Sequence, residues 1–180
     1  MRDVQSASPD AGTTAVRLVE IPAEAMRALV EGDLDRASSL TGTPLSPYLA
    51  SDECTWLWRV RLDQGDRDPA SRHWVARAAV AEPDGPVVGH AGFHGPPDES
   101  GMVEVGYAVD PAYRRRGYAR AMVRALLDWA GSELGVTRVR ASIGPDNEAS
   151  LATIRGFGFA RTGEQWDDED GLEIVYEVPV

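Results

Sequence analysis

Lysine is absent: all 18 basic residues of this 180-residue chain are arginine. A phosphate loop of the Gly-Lys-Ser/Thr kind needs that lysine, so the absence excludes it, and any Schiff-base chemistry with it. Cysteine occurs once, as Cys54. No internal disulfide can form, and a reducing, cytoplasmic setting is the expectation. No stretch approaches the ~20 apolar residues of a membrane-spanning helix. The opening MRDVQSASPDAGTT has no apolar run, so no secretory leader is expected. His90 and His94 stand four apart on an expected strand, which separates them by ~13 Å. They cannot share a metal, and no metal site is expected.

Positive charge is scarce as well. Against 29 acidic residues the net charge is −11, which argues against nucleic acid or an anionic membrane as partner. It suits solubility and, more weakly, a cationic substrate. The 43% hydrophobic content with five tryptophans fits a globular chain. The length fits a single domain. Residues 1–14, rich in Ser, Pro, Asp and Gly, read as a disordered arm, and residues 15–180 as the domain.

Alternation and punctuation give the order β-α-α-α-β-β-β-α-β-α-β-β, a mixed α/β architecture with no internal repeat. Ala15 to Ile21 reads as a strand, and Pro22 opens a helix that Gly32 ends. A second helix runs from Leu34 to Leu40, and Ser51 caps a third. Trp56 and Trp58 on that third helix belong to a core or to an acceptor pocket. Trp74 to Ala81 and Val87 to Phe93 read as strands around a Pro83-Asp84-Gly85-Pro86 turn. Val136 to Ile143 is a strand, and Asp146-Asn147-Glu148 opens a helix running to about Arg155. Two final strands flank an Asp170-Gly171 hairpin signal.

The stretch EVGYAVDPAYRRRGYARAM (Glu104 to Met122) carries most of the chemistry. Val103, Val105, Tyr107 and Val109 alternate as a strand, which Asp110-Pro111 stops. Arg114, Arg115, Arg116 and Gly117 then lead into a helix. The first N–H groups of a helix have no partner inside it and the dipole favours negative charge there, so this turn suits an anion, above all a phosphate.

Arg114-Arg115-Arg116-Gly117-Tyr118-Ala119 after Val109-Asp110-Pro111, followed by Asn147-Glu148-Ala149-Ser150 and Gly156-Phe157-Gly158-Phe159, resembles the GCN5-related N-acetyltransferase (GNAT) superfamily. In motif style it is nearest to ribosomal-protein N-terminal acetyltransferases. The resemblance covers roughly Trp74 to Val178. It implies a GNAT fold of the α/β (α+β) class: a mixed, mostly antiparallel sheet, helices on both faces and a splayed central strand pair. It implies acetyl-CoA as donor, a primary amine or a peptide N-terminus as acceptor, and it is compatible with a homodimer. The pyrophosphate is expected on the backbone amides of Arg115 to Ala119, Gly117 and Tyr118 among them, with charge-assisted bonds from Arg114, Arg115 and Arg116. The pantetheine arm is expected along the strand edge from Tyr107 to Val109, and at Asn147, whose plain alternative is a helix N-cap. Arg120 and Arg124 are expected on a solvated helix face.

An alkyl ammonium must lose its proton before it attacks a thioester. Glu104 is the expected base, an exposed strand glutamate its plain alternative, with His94 and Glu99 as rivals. The family's tyrosine seven residues after the asparagine is Ile154 here, so Ser150 is the expected donor to the departing thiolate. Two readings stand beside the enzyme: a non-catalytic acyl-CoA-binding sensor, and another nucleotide-binding module that uses the Arg-Gly turn.

Overall fold

Val103 and Val105 are buried in a strand at the centre of a seven-stranded sheet. The computed structural model describes residues 14–168 and 171–180. In chain order the elements are β1 (Val16–Glu20), α1 (Ala23–Glu31), α2 (Leu34–Thr41), α3 (Asp52–Arg67), β2 (Arg77–Ala81), β3 (Val87–Phe93), β4 (Met102–Val109), α4 (Tyr118–Ser132), β5 (Arg138–Ile143), α5 (Glu148–Ile154), β6 (Ala160–Asp167) and β7 (Gly171–Pro179). This is the order read from the sequence. The expected N-terminal arm lies outside the described residues apart from Thr14, as does Asp170 of the hairpin signal.

The strands run β1-β2-β3-β4-β5-β7-β6. Every pairing is antiparallel except β4 with β5. That parallel pairing stops early, at Met102↔Arg138, Val103↔Val139 and Glu104↔Arg140. Beyond Glu104 the two strands part, β4 remaining on β3 as far as Val109↔Gly89 while β5 continues along β7. The splayed central pair is therefore present, and it opens a wedge in the sheet.

Two cores cover the two faces. Met122, Leu126 and Ala130 of α4 and Ile154 of α5 pack with Val88, Val103, Val139 and Ala141 on one face. Residues of α1, α2 and α3 close over Val75, Ala78 and Val80 on the other. Strand β3, covered on both sides, buries all seven of its residues, as a central strand between helix layers should. Truncating a fully buried side chain such as Leu126 costs about 2–5 kcal/mol.

Two expectations change at this level. The strand expected from Trp74 begins at Arg77, because Trp74 ends the 3-10 turn Pro69–His73 in helical conformation and Ala76 has φ 41°. Trp58 is core, fully buried with Nε1 donating to the Leu49 carbonyl at 2.7 Å, whereas Trp56 is exposed. Among the described residues no helix is long and apolar enough to cross a membrane.

Candidate functional site

The end of β4 is fixed by Asp110, a buried carboxylate. Its Oδ1 accepts from the Ala112 N–H (2.9 Å) and its Oδ2 from the Ser46 hydroxyl (2.9 Å). A 3-10 turn over Pro111–Tyr113 follows, then Arg115 at φ 60° and Gly117 at φ 85°. Glycine meets the left-handed requirement at 117 without strain. Within α4 the first backbone bond runs from the Ala121 N–H to the Gly117 carbonyl. The N–H groups of Tyr118, Ala119 and Arg120 thus have no acceptor among the described residues. None of Arg114, Arg115 and Arg116 forms an ion pair among them either. An acidic protein has left three cations and three amides at one helix start, which is the condition for holding a polyanion.

These residues border a groove of about 490 Å³ between β4, α4 and α5. Tyr107, Val109, Arg114, Arg115, Gly117, Tyr118 and Ala119, all expected at the donor site, line it, together with Ser150. Arg116 stands beside it, its guanidinium over the Tyr113 ring. The Arg114 Nε donates to the Val109 carbonyl at 3.2 Å, so one of the expected cofactor contacts carries a side-chain clamp. Asn147 lies outside the lining: it is exposed, and its Oδ1 caps α5 by accepting from the Ser150 N–H (3.0 Å). Arg120 is exposed, as expected of that helix face, but its guanidinium also has a structural task. Its Nη1 donates to the carbonyls of Thr153 (3.0 Å) and Arg155 (2.7 Å) and its guanidinium covers the Phe157 ring, tying α4 to the end of α5.

The direction of the backbone in the wedge follows from alternation. The Glu104 carbonyl accepts from the His94 N–H, and the Asp110 N–H donates to the Val88 carbonyl. Residues 104, 106, 108 and 110 therefore face β3, and the amides and carbonyls of Val105, Tyr107 and Val109 face the opening.

On the far side of the wedge lies a second cavity of about 360 Å³. Tyr107 and Ser150 border both cavities. The second cavity is acidic, with Glu104, Asp167 and Glu173 around it. Sequence reading missed Ser142, Gln165 and Glu173, and saw Asp167 only as part of an acidic loop that favours a cation. Cross-strand register brings Gln165 opposite Glu173, and Gln165 Nε2 donates to both the Glu173 carboxylate (2.9 Å) and the Ser142 hydroxyl (3.1 Å). Strand alternation placed Ser142 on the face away from Val139, Ala141 and Ile143, the one available signal.

Of the three candidate bases, two come together here. Glu104 is mostly buried at the cavity wall, and its Oε1 lies 3.9 Å from His94 Nδ1. Glu99 sits in an exposed loop away from both cavities. The His94 pKa is pushed down by desolvation, pulled up by Glu104 and pushed down again by Arg61. Its net direction is downward, because desolvation outweighs the pull of the carboxylates. The Tyr107 phenol is buried without a hydrogen bond. Burial pushes its pKa up, and the hydroxyls of Ser150 and Thr153 nearby oppose that shift. Ile154 is buried in the core beneath α5, so the phenol in this part of the wedge comes from β4.

The profile of the acetyltransferase (GNAT) family matches residues 37–159. The chain is 41% identical over 73 residues to the uncharacterized N-acetyltransferase YjdG of Bacillus subtilis (strain 168), covering 41% of this chain and 44% of YjdG. It is 40% identical over 87 residues to the N-alpha-acetyltransferase RimI of Mycobacterium tuberculosis, covering 46% and 51%. It thus spans about half the length of these relatives. Among solved structures, the ribosomal L7/L12 alpha-N-protein acetyltransferase RimL in complex with coenzyme A superposes with a TM-score of 0.62. That match covers 93% of this chain and 96% of RimL at 16% identity, and at this identity the likeness is one of fold. The family profile spans well over half the chain, from within α2 to the residue before β6, and the splayed strands and helix start lie inside it: the chain belongs to the acetyltransferase (GNAT) family.

Proposed function

We propose that this chain is an acetyl-CoA-dependent N-acetyltransferase that moves an acetyl group to a primary amine by direct attack. One observation carries the reading: the polyanion groove and the acidic cavity meet in the wedge, at Tyr107 and Ser150. A donor laid along the outward amides of Tyr107 and Val109 reaches an acceptor held beside Glu104. Bound acetyl-CoA supplies an activated acyl carbon and a thiolate leaving group. Arg115, Arg116 and the amides of Tyr118 to Arg120 hold its diphosphate. The acidic cavity admits the acceptor as an ammonium, and Glu104 takes the proton that frees the nitrogen lone pair. As the C–N bond forms, an outward strand amide near Val109 stabilises the oxyanion. As the C–S bond breaks, Ser150 donates to the sulfur, with the Tyr107 phenol beside it.

Acetyl-CoA should raise the thermal midpoint by mass action, and an amine panel should release free thiol. A thermal rise without thiol release for any amine would favour the other reading, an acyl-CoA sensor. The observation behind that alternative is Ile154, which fills core space where the family's tyrosine would stand.

A further inference from the structure

Beyond His94 the acidic cavity continues into a smaller recess of about 140 Å³ between α3 and the β3–β4 pair. His94, Gly106 and Tyr107 border both spaces. Leu57, Ala91 and Phe93 make the recess largely apolar, and one charge faces it, Arg61 of α3. The guanidinium is fixed in place. Its Nη1 donates to Gln64 Oε1 (2.8 Å) and to the His94 carbonyl (3.2 Å), and Gln64 Nε2 donates to the same carbonyl (2.7 Å). Its Nε and Nη2 have no acceptor, and no carboxylate lies within ion-pair distance of it among the described residues. On the outer side of the same helix Arg67 is paired with Asp63, so acidic partners are to hand where the fold uses them. A mostly desolvated cation without a counter-ion, in a protein of charge −11, is costly to keep unless a ligand brings the anion.

Two opposite charges of the combined space, Glu104 and Arg61, lie on either side of one residue. Glu104 Oε1 is 3.9 Å from the His94 ring and Arg61 Nη1 is 3.2 Å from the His94 carbonyl. A single small molecule can span them. We propose, resting on the transferase reading above, that the acceptor is an amino-acid-type zwitterion: its ammonium sits by Glu104 and His94, and its free carboxylate is read by Arg61. Arg61 is then the residue that sets specificity. The guanidinium offers Nε and Nη2 as a planar fork to the two carboxylate oxygens, and the recess has room for a carboxylate and a short apolar group.

The test compares the free amino acids with their amides as acceptors, in wild-type protein and in Arg61→Met and Arg61→Lys. Thiol release gives kcat/KM, and calorimetric titration of the same pairs in the presence of CoA gives binding without turnover. In the wild type the free acid should be preferred over its amide by roughly 10- to 100-fold, mainly through KM. In Arg61→Met that ratio should collapse toward one, with Arg61→Lys between. A retained thermal rise with acetyl-CoA shows that the variants fold. Equal use of acid and amide by the wild type, or an equal loss of both in Arg61→Met, overturns the role of Arg61 while leaving the transferase standing. A preference for dipeptides over free amino acids overturns it too, and makes a peptide N-terminus the acceptor. Selective binding of the acid without any thiol release keeps Arg61 and overturns the transferase. No binding and no transfer with any carboxylate-bearing amine overturns the proposal.

Discussion

The two sides of the wedge are built by different means. On the reading proposed above, the donor side is made of one continuous stretch of chain: three helix-start amides, the outward edge of β4 and a run of consecutive arginines. The proposed acceptor side is made of side chains from α3, β3, β4, β5, β6 and β7 and of His94, converging from residues 57 to 173. The donor side holds its charge on arginine alone, which does not titrate in the working range. The acceptor side carries His90, His94, Glu104 and the other carboxylates. One side is therefore indifferent to pH and the other is not, and damage to each should be separable by measurement.

The largest effect is expected at Glu104. Glu104→Gln should lower kcat/KM by roughly 100- to 10,000-fold, the usual contribution of a general base, while the thermal rise with acetyl-CoA stays as in the wild type. Unchanged turnover would remove Glu104 from the mechanism and leave His94 as the base. Loss of the thermal rise would show that the two sides are not separable. Next in size is His90, which stacks on Tyr48, meets Trp58 edge-on and is buried in the wall of the recess. Desolvation, helped by Arg61, lowers its pKa to about 4. The unfolded chain binds that proton more readily, so the stability His90 contributes is complete above its ordinary pKa and disappears as pH falls toward 4. The loss is about 3 kcal/mol at most. Denaturant unfolding of wild type and His90→Gln between pH 7 and 4 should give a flatter pH slope for the variant; parallel slopes would mean that another group drives the acid loss.

The same contrast explains what could be read in the chain. Arg114 to Ala119 was legible because six consecutive residues carry the geometry, and a strand, a turn and a helix start each leave their own pattern. The order of strands and helices along the chain followed from alternation and from Pro, Gly and Ser at element ends. Arg61, Gln165 and Glu173 were not legible. Nothing in α3 marks Arg61 among its neighbours, and the pairing of β6 with β7 decides that Gln165 meets Glu173. The contacts of Arg120 escaped the reading for a related reason. Its i±4 companions on α4 mark an outer face, but α5 ends beneath it, and only tertiary packing brings those carbonyls within reach.

On the donor side, the Arg115→Ala/Arg116→Ala pair should raise the KM for acetyl-CoA by roughly 10- to 100-fold, as loss of charge-assisted phosphate contacts does. The defect should shrink as ionic strength rises, because salt screens the attraction that only the wild type has, and keep the same size from pH 6 to 8. A defect that varied with pH would mean that the acceptor side had been disturbed as well, and the separation between the sides would fail.

The smallest effect expected is at Gly106, and it bears most directly on how the acceptor side is assembled. A Cβ at this position would stand 3.0 Å from His94 Nε2 and 3.3 Å from its Cδ2. The glycine thus leaves the space in which the imidazole lies across β4. Because the His94 ring is half exposed it can swing outward, so Gly106→Ala should cost less than about 1 kcal/mol in unfolding free energy. The displaced ring should nonetheless leave Glu104, giving roughly a 3- to 10-fold fall in kcat/KM with acetyl-CoA binding unchanged. If the ring is the cause, His94→Ala should produce a fall at least as large, and adding Gly106→Ala to it should change nothing more. Additive losses would mean instead that the methyl group acts on β4 itself, bringing the donor strand and the acceptor cavity under one constraint.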